Sequence, residues 1–440
     1  MNIPQNTDAS PIRVLFIVDS LYWVIGNFAH QIAKTTSGLE TVTCSQFAIR
    51  KTINRFGPFP PCFDVVHFLR SKTIQGFWGR FPIVTTFHHL DPATHLPSFQ
   101  QSDAVMTVST QWQQHLTHLG IPETQQALVP FGVDTQTFLS PTDETQLTIR
   151  KALNINKQAV VLGFSSRRSS NTADRKGVRC FLKALKKLHQ HEPNLAALII
   201  GPGWQALAKE IRQSGIPCIQ APYEIIHERI AKYFQAMNLF WVTSRVEGGP
   251  VPLLEAMASG LPCISTPVGA ALDLINDREN GFIVPFDEPE QFVTRSLQLI
   301  QDQTFREGMG QKARKTIVEK RQWNQAGEKL HDLYALAINN FHTRSHQRLP
   351  QHDKNNTMNH PNQQAFPQKT MTTDFFYSHK VQSWLQACEQ VNGLRMMVEM
   401  KAWKAARQFA VRAIRAAPFE PSLWKIIFAV LRKARTSSPH

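Results

Sequence analysis

Several features that define other classes of protein are missing from this sequence. No apolar run approaches the ~20 residues that a membrane-spanning helix requires. The first residues, M-N-I-P-Q-N-T-D-A-S, have neither a charged start nor an apolar core, so they do not predict a signal peptide. The six cysteines are scattered without a C-x-x-C pair, which is typical of thiols in a reducing compartment. These absences predict a cytoplasmic chain without membrane spans or disulfides.

Acidic residues are also scarce. The sequence has 48 Lys and Arg against 33 Asp and Glu, a formal net charge of +15. Such a balance favours an anionic partner, although solubility alone could explain most of the charges. No nucleic-acid-binding motif accompanies the charge, so nucleic acid is not expected as a partner. Neither a D-x-D pair nor a Cys/His cluster occurs, so we expect no metal site and no bound cofactor.

What the chain does contain is a regular alternation of apolar runs and helical patterns. Hydrophobic residues make up 42% of the 440 residues, enough to form the cores of two or three domains. Short apolar runs predict buried parallel strands, and they lie at 12–18, 64–68, 82–87, 104–109, 159–164, 195–200, 217–219, 239–242 and 263–265. This alternation predicts two doubly wound α/β domains.

The segment 244–285 organises the second half of the chain. The predicted strand 239–242 leads into a glycine turn at Gly248 and Gly249, and a short helix follows at about 252–258. A strand, a glycine turn and a helix N-terminus form a geometry that binds phosphate. Free N–H groups and the positive end of the helix dipole face the anion there.

Two glutamates flank this turn, Glu247 before it and Glu255 within the helix. Isolated glutamates are usually ordinary surface residues. Here they stand among the segments E-G-G-P-V-P-L-L-E, A-M-A-S-G-L-P, S-T-P-V-G and N-G-F-I-V-P. Together these resemble the E-x7-E signature of family 4 glycosyltransferases, which are retaining, nucleotide-sugar-dependent enzymes of the GT-B fold. The E-G-G-P version resembles a subgroup found in bacterial surface-polysaccharide synthesis, and a thinner resemblance extends over 11–335.

The resemblance implies roles for individual residues of the second domain. Glu255 is expected to bind the nucleotide ribose, and Glu247 the hydroxyls of the donor sugar. The loop S-S-R-R-S-S-N-T-A-D-R-K-G resembles the family's R…K-G pair, which holds the donor pyrophosphate. Lys176 fits this pair. Its arginine partner is ambiguous because the loop is longer than usual. Arg168 is the assigned partner, and Arg167 is a further donor-binding cation.

The first domain carries two further candidates. Gly26 lies in the loop after the first strand, where family members usually have two glycines close to the donor phosphate. His88 and His89 follow the strand 82–87 and resemble the segment whose histidine lies beside the donor sugar; His88 is preferred. Phe131 stands where the family usually has Asn, which puts any polar role of that position in doubt.

Composition predicts the domain boundaries and a tail. Gln, Asn, His, Pro and Thr dominate the expected linker, and the tail resembles a tetratricopeptide-like helical pair. The tail could contact the enzyme, a partner or a membrane. The predicted order is an N-terminal Rossmann-like acceptor-side domain (11–145) with a returning helix at about 324–340, a C-terminal nucleotide-sugar-binding domain (156–320), a disordered linker (342–373) and a helical tail (375–435).

Basic and aromatic residues alternate in 50–81, where Asp64 is the one acidic residue. Such a stretch predicts reversible binding to an anionic membrane surface, because basic residues are attracted to the leaflet and inserted aromatics bury apolar area. The alternative is that most of these aromatics belong to the core. The residues concerned are Arg50, Lys51, Arg55, Arg70, Lys72, Arg80, Phe56, Phe59, Phe63, Phe68, Phe77, Trp78 and Phe81.

The sequence therefore predicts a GT-B enzyme. It would move a sugar from a nucleoside-diphosphate sugar to an acceptor hydroxyl with retention, the acceptor being a saccharide or a lipid-linked saccharide. Lys176, an arginine and helix N-termini would neutralise the leaving diphosphate without a metal. Two alternatives stay open. One is another GT-B nucleotide-sugar chemistry such as epimerisation, and the other is a catalytically silent scaffold that recruits partners through its tail.

Overall fold

The described residues fold into two units. In the computed structural model, contacts group Met1–Met106, Leu119–Ala127 and Gly327–His440 as the first unit and Thr107–His118 and Leu128–Ala326 as the second. The structure describes residues 10–22, 24–59, 61–70, 77, 79–89, 92–168, 172–222, 224, 226–347, 371, 373–399, 403–416 and 421–436.

A six-stranded sheet forms the centre of the first unit. Its order is β2-β1-β3-β4-β5-β6. β1 pairs in parallel with β2 and β3, and β3 with β4. The strands are β1 (Ile12–Val18), β2 (Leu39–Ser45), β3 (Val65–Phe68), β4 (Ile83–Phe87), β5 (Ala104–Thr107) and β6 (Gln126–Leu128). β1, β3 and β4 are apolar and buried, as expected of central parallel strands. β2 was not predicted from the sequence, because its alternating residues L-E-T-V-T-C-S are mostly only half buried.

The second sheet is parallel throughout, with the order β12-β11-β10-β7-β8-β9. Counted from β7, this is the strand order 3-2-1-4-5-6 of a dinucleotide-binding fold. The order reverses between β7 and β10, which lie side by side. The strands are β7 (Val160–Ser165), β8 (Leu195–Ile200), β9 (Cys218–Gln220), β10 (Leu239–Val242), β11 (Cys263–Ser265) and β12 (Phe282–Ile283). The predicted pair of doubly wound domains is confirmed.

Helices connect the strands in both units. Those between β1 and β7 are α1 (Val24–Thr35), α2 (Gln46–Phe56), α3 (Pro92–Gln101), α4 (Thr110–His118) and α5 (Asp143–Ala152). From β7 onwards they are α6 (Thr172–Arg175), α7 (Val178–His191), α8 (Gln205–Gln213), α9 (His227–Gln235), α10 (Val251–Ala258), α11 (Ala270–Leu274), α12 (Pro289–Gln301), α13 (Gln303–Lys320) and α14 (Trp323–Gln347).

Two buried tryptophans illustrate how the second core is satisfied. Trp204 and Trp241 are almost completely buried in the cluster between the sheet and its helices. The indole N–H of Trp204 donates to the Ser166 carbonyl at 2.7 Å, and that of Trp241 donates to the Ser296 hydroxyl at 3.0 Å. Burial of a large aromatic surface is favourable when its polar N–H keeps a partner.

The C-terminal tail belongs to the first unit. It consists of α15 (Thr373–Tyr377), α16 (His379–Glu399), α17 (Trp403–Ala416) and α18 (Pro421–Thr436). α16 packs on α2 and β2, while α17 and α18 pack on α16. Of the predicted linker 342–373, residues 342–347 continue α14, and residues 348–370 and 372 lie outside the described part of the chain.

A carboxylate of the tail caps a helix of the first sheet. Ser45 is the N-cap of α2, and its hydroxyl accepts the N–H of Ala48 at 3.1 Å. The Ser45 N–H donates to Glu389 Oε1 at 2.6 Å. In a capping box this second bond comes from a Glu or Gln three residues into the helix. Here Ala48 occupies that position, and Glu389 of α16 supplies the carboxylate instead.

The aromatic residues of 50–81 are mostly core. Five of the predicted membrane-facing rings are buried, which leaves them unavailable to a membrane, while Phe56 packs edge-on against Trp384 of the tail. Trp78 and Lys72 lie outside the described residues. The buried rings are Phe59, Phe63, Phe68, Phe77 and Phe81. Within the described part of the chain, no helix has both the length and the apolar content to cross a bilayer.

The cap formed by Glu389 should be measurable as stability. Glu389→Ala leaves the buried Ser45 N–H without an acceptor, which should lower the free energy of unfolding by about 1–3 kcal/mol. Glu389→Gln keeps an acceptor oxygen and should recover most of this loss. Burial raises the pKa of Glu389 to about 7, so denaturant unfolding is measured near pH 4.5, where ionisation of this group adds little to the difference between variants. The exposed Gln386→Ala of the same helix is the control. Equal stability of Glu389→Ala and Gln386→Ala would contradict the assignment.

Candidate active site

The candidate site lies at the carboxyl ends of β7 and β10, where the strand order of the second sheet reverses. Ligands of open α/β sheets bind at such switch points, because the loops on either side diverge and leave a crevice. A pocket opens there between the two strand ends and the loops that follow them. It is lined by Ser165, Val242, Thr243, Lys176, Glu247 and Pro250.

Three side chains converge on one carboxylate oxygen in this pocket. Lys176 Nζ lies 2.5 Å from Glu247 Oε1, and Arg175 Nη1 lies 3.3 Å from the same atom. The Ser244 hydroxyl donates to it at 2.8 Å. The side chains of Lys176 and Glu247 are both largely buried, so their ion pair is poorly screened by solvent. The site therefore holds two cations and one anion in fixed positions.

Backbone contacts position the two cations. The Arg175 carbonyl accepts the N–H of Arg245 at 2.7 Å, and Arg175 Nη1 donates to the Val246 carbonyl at 3.1 Å. The Lys176 carbonyl accepts the Thr243 hydroxyl at 2.8 Å. Residues 175 and 176 are thus hydrogen-bonded to residues 243–246, which directly follow β10.

The backbone conformation and close packing at position 177 explain why a glycine follows Lys176. Its backbone is left-handed, with φ of 62°, and it is the N-cap of α7. A Cβ at this position would lie 1.9 Å from the Thr243 carbonyl oxygen, closer than any real contact. Glycine therefore allows the close approach of this turn to the end of β10.

Glu255 is the second predicted glutamate, and its surroundings differ from those of Glu247. It lies in α10 and is 8% exposed. Its carboxyl group has no hydrogen-bond or ion-pair partner among the described residues, and burial raises its pKa to about 8. A buried polar group without a partner is costly. Such a group is a candidate for binding a ligand hydroxyl.

The turn between the glutamates is fixed by its neighbours. The Glu247 carbonyl accepts the indole N–H of Trp112 at 2.6 Å, and the Gly248 carbonyl accepts the N–H of Ala270 at 2.9 Å. At Gly249 a Cβ would make only ordinary contacts, the nearest with Phe131 at 3.4 Å. The carbonyl groups of this turn are thus held on two sides, and α10 begins directly after Pro250.

Arg167 and Arg168 lie at the surface, in the loop that follows β7. Both are exposed, and the Arg168 N–H donates to the Pro202 carbonyl at 3.1 Å, while its guanidinium lies 5.9 Å from the Trp204 ring. The arginine that the structure brings to Lys176 and Glu247 is Arg175. The sequence left the arginine partner ambiguous and the role was assigned to Arg168, because spacing alone does not show which arginine of the loop turns inwards.

His88 lies in the first unit, directly after β4. Its Nε2 donates to the Leu69 carbonyl at 2.8 Å, and burial lowers its pKa to about 4, so it is neutral at physiological pH. His89 is half-buried. The nearby His67 is a structural residue, because its ring nitrogens are bonded to Tyr334 (2.9 Å) and Thr86 (2.8 Å).

Gly26 lies inside the first turn of α1, a helix that begins four residues before the predicted start at Phe28. A Cβ on Gly26 would lie 2.4 Å from the Ser20 carbonyl oxygen. The missing side chain therefore accommodates the loop of its own unit. That loop also carries Asp19, which forms an ion pair with Arg70 at 3.2 Å. No group of three or more His, Cys, Asp or Glu among the described residues is arranged to hold a metal ion.

Gly177→Ala should destabilise the second unit more than an alanine at a comparable glycine. An alanine in a left-handed conformation costs about 1–2 kcal/mol by itself, and here the overlap with the Thr243 carbonyl adds to it. Gly215→Ala is the matched control, since Gly215 has φ of 81° and its nearest neighbour would be 3.8 Å away. Melting temperatures of the two variants test the expectation. Equal losses would show that the close approach at Gly177 has no energetic weight.

Glu255 should make stability depend on pH. Below about pH 4.5 its carboxyl group is protonated in the folded and unfolded states alike. Between there and pH 8 the unfolded state loses the proton and the folded state keeps it, so stability falls as pH rises. Glu255→Gln lacks this penalty, so its melting temperature should exceed that of the wild type increasingly towards pH 8. Glu228→Gln, at an exposed glutamate, is the control. Parallel curves for all three proteins would contradict the raised pKa.

Comparison with known proteins adds an independent result. Residues 145–316 match the family described as Glycosyl transferases group 1. This range contains the cluster at Lys176 and Glu247 and also Glu255, while His88 and Gly26 lie outside it. The matched segment is therefore the one that builds the second sheet and its switch point.

Two curated relatives show the extent of sequence similarity. The lipopolysaccharide core biosynthesis mannosyltransferase LpsB of Rhizobium meliloti (strain 1021) is 26% identical over 212 residues, 46% of this chain and 57% of the relative. The N-acetyl-alpha-D-glucosaminyl L-malate synthase of Bacillus anthracis is 26% identical over 256 residues, 54% of this chain and 64% of the relative. The chain thus spans between half and two thirds of the length of these two relatives.

Solved structures share the fold over a larger part of the chain. Anabaena Alr3699/HepE in complex with UDP and glucose has a TM-score of 0.62 at 16% identity, covering 74% of this chain and 99% of that one. A glycosyltransferase from Rickettsia africae ESF-5 has a TM-score of 0.61 at 17% identity, covering 75% and 99%. The chain has the two Rossmann-like domains of the GT-B fold, and residues 145–316 are similar to the glycosyl transferase group 1 family.

Proposed function

We propose that this protein is a retaining glycosyltransferase that moves a sugar from a nucleoside diphosphate to the hydroxyl of a saccharide or lipid-linked saccharide acceptor. The observation that carries the proposal is the pair of cations at the switch point of the second sheet. Lys176 and Arg175 lie there beside the carboxylate of Glu247, and the helix that begins after the same turn carries the buried carboxyl group of Glu255. Supporting it, the similar structure of Alr3699/HepE contains UDP and glucose.

The cations provide the charge that a departing diphosphate needs. In the protein alone, the single negative charge of Glu247 offsets part of the positive charge of Lys176 and Arg175. An incoming diphosphate would take over both cations, because a charge-assisted bond to a phosphate oxygen is strong and geometrically specific. The oxygens of Glu247 would then be available to accept hydrogen bonds from sugar hydroxyls. One anion replaces another, so the cations need little reorganisation.

The chemistry follows from this exchange. As the bond between the anomeric carbon and the phosphate oxygen breaks, the sugar acquires oxocarbenium character and negative charge grows on the diphosphate. Positive groups that are fixed in advance stabilise that charge more effectively than solvent does. The proposal therefore requires no metal ion. The role beside the donor sugar that the resemblance implies for His88 stays a prediction.

Glu255 would bind the ribose of the donor. Its carboxyl group is buried without a partner, and two ribose hydroxyls can satisfy both of its oxygens. A site built to bond a hydroxyl discriminates strongly against a ligand that lacks it, because the polar group is then left unpaired. This glutamate would therefore contribute specificity for a nucleotide as well as affinity.

The acceptor class rests on the relatives. LpsB is named for lipopolysaccharide core biosynthesis, and a Corynebacterium glutamicum relative, 24% identical over 214 residues, is named as a phosphatidylinositol monomannoside mannosyltransferase. An acceptor in surface polysaccharide or glycolipid synthesis is the corresponding proposal for this chain. Epimerisation would need a base placed for proton removal from the sugar, and neither the cluster nor Glu255 favours it. A silent scaffold that acts through its tail would not need two cations beside Glu247 at the switch point of the second sheet.

Lys176→Ala should lower the turnover of the nucleotide sugar by roughly 10²-fold or more, the usual scale for one preorganised charge donor. Arg175→Ala should also lower it, whereas Arg168→Ala should change it little, because Arg168 lies against Pro202 and Trp204. The assay is donor consumption, including slow hydrolysis, over a panel of common nucleotide sugars. Melting temperatures verify that each variant is folded.

Two outcomes would contradict this assignment. Near-normal turnover of Lys176→Ala would mean that the diphosphate binds elsewhere. A strong loss in Arg168→Ala together with normal Arg175→Ala would restore Arg168 as the partner of Lys176.

The wild type is also assayed with EDTA present, because the proposal places all of the neutralising charge on side chains. Complete loss of activity with EDTA would show that a divalent ion is needed.

A further inference from the structure

The last helix of the chain exposes an aromatic residue in a basic surrounding. α18 buries Leu423 and Ile427 and packs against α16. Phe428 is 61% exposed, the highest value among the exposed large hydrophobic residues of the described chain. Its ring stacks on Trp424 with centroids 5.7 Å apart. An exposed ring on a helix that also buries apolar residues becomes informative through the charges around it.

The residues around Phe428 have one charge sign. Lys425 and Arg432 are both exposed, and they lie three residues before and four residues after Phe428, on the same face of the helix. α17 and α18 each contain four Lys or Arg and no Asp or Glu. On α17 the exposed residues include Val411, Arg412 and Arg415. We call four residues of α18 the basic aromatic face: the exposed Lys425, Phe428 and Arg432, and the half-buried Trp424.

We propose that the basic aromatic face binds an anionic lipid surface. An interfacial helix combines an apolar strip with flanking basic residues, so that the strip enters the headgroup region while the charges meet the lipid phosphates. A membrane fits better than a nucleic acid. The two aromatic rings of α18 stack on each other, at 27° between their planes, and so offer less open ring surface for bases to stack on.

The position of this face in the first unit makes binding useful. α16, on which α18 packs, is fixed to the unit by the bond of Glu389 to Ser45 and by Asn392 Nδ2, which donates to the Asp19 carbonyl at 3.0 Å. Asp19 follows β1, at the ligand-binding edge of the first sheet. A membrane contact through α18 would therefore hold the first unit at a lipid surface. The buried aromatics of 50–81 cannot do so.

Co-sedimentation of the full chain with vesicles tests the proposal. Vesicles of phosphatidylglycerol with phosphatidylcholine are compared with phosphatidylcholine alone, each at low and high salt. The wild type should sediment with the anionic vesicles at low salt and be released by high salt, because screening weakens the attraction. Lys425→Glu with Phe428→Ser should weaken binding by at least ~10-fold, since it reverses one charge and removes the exposed ring.

Matched controls separate this face from the general positive charge. Lys312→Glu with Phe286→Ser makes the same changes at exposed residues of the second unit and should leave vesicle binding unchanged. Because all four positions are exposed, both double variants should keep the melting temperature of the wild type. Arg432→Glu alone provides a second, milder test of the basic aromatic face. The readout contains no catalytic step, so it stands or falls separately from the proposed activity.

Three results would overturn the proposal. One is a wild type that stays in the supernatant with anionic vesicles. Another is equal weakening by the two double variants, which would assign the binding to net charge. The third is a wild type whose binding of a single-stranded oligonucleotide, but not of vesicles, is lost in Lys425→Glu with Phe428→Ser. That result would identify the face as a nucleic-acid surface.

Discussion

The ion pair between Lys176 and Glu247 is the interaction on which the candidate site depends. It forms where the strand order of the second sheet reverses, and both partners are largely shielded from solvent. Arg175 and Ser244 bind the same carboxylate oxygen, so the removal of Glu247 would leave two neighbouring cations without their anion. A buried pair broken on one side is strongly destabilising. The fold therefore tolerates this concentration of positive charge only with an anion beside it, and the proposed ligand is itself an anion.

Glu255 is a second buried ionisable group with an energetic cost, and its charged form is negative. Burial without a partner raises the pKa of its carboxyl group to about 8, and this lowers the stability of the folded state at neutral pH. Polar groups without partners often occur where a protein binds a ligand, and favourable interactions elsewhere in the fold offset their cost. Here the compensation comes from a well-packed core. Nearly all of α10 around Glu255 is buried, and the adjacent strands β10 and β11 are buried as well.

Much of the fold could be predicted from the sequence, because short apolar runs between helical patterns have one plausible arrangement. The strands Ile12–Val18 and Leu239–Val242 were predicted to the residue. The edge strand Leu39–Ser45 was missed, since a half-buried strand lacks a continuous apolar run. The membrane face predicted at 50–81 failed for a related reason. The sequence does not distinguish an aromatic residue of the core from one on the surface. The structure shows that Phe59 and Phe77 are buried and pack against each other.

The site was predictable in composition but not in detail. The motif identified Glu247, Glu255 and Lys176, and the structure brings Lys176 and Glu247 into contact. Which arginine completes the cluster depends on how a long loop turns, and spacing along the chain carries no such information. The contact of Glu389 with Ser45, 344 positions apart in sequence, was equally invisible. Long-range contacts of single polar side chains leave no periodic signal, so they appear only when the elements that carry them are placed.

The central claim is that the cluster around Lys176 and Glu247 binds the diphosphate of a nucleotide donor. The most direct measurement is a crystal structure of the protein with a nucleoside diphosphate that calorimetry shows to bind. The account predicts phosphate oxygens within hydrogen-bond distance of Lys176 Nζ and the Arg175 guanidinium, and ribose hydroxyls at the Glu255 carboxyl group. A nucleotide bound with its phosphates on Arg167 and Arg168, or anywhere away from the switch point of the second sheet, would contradict it.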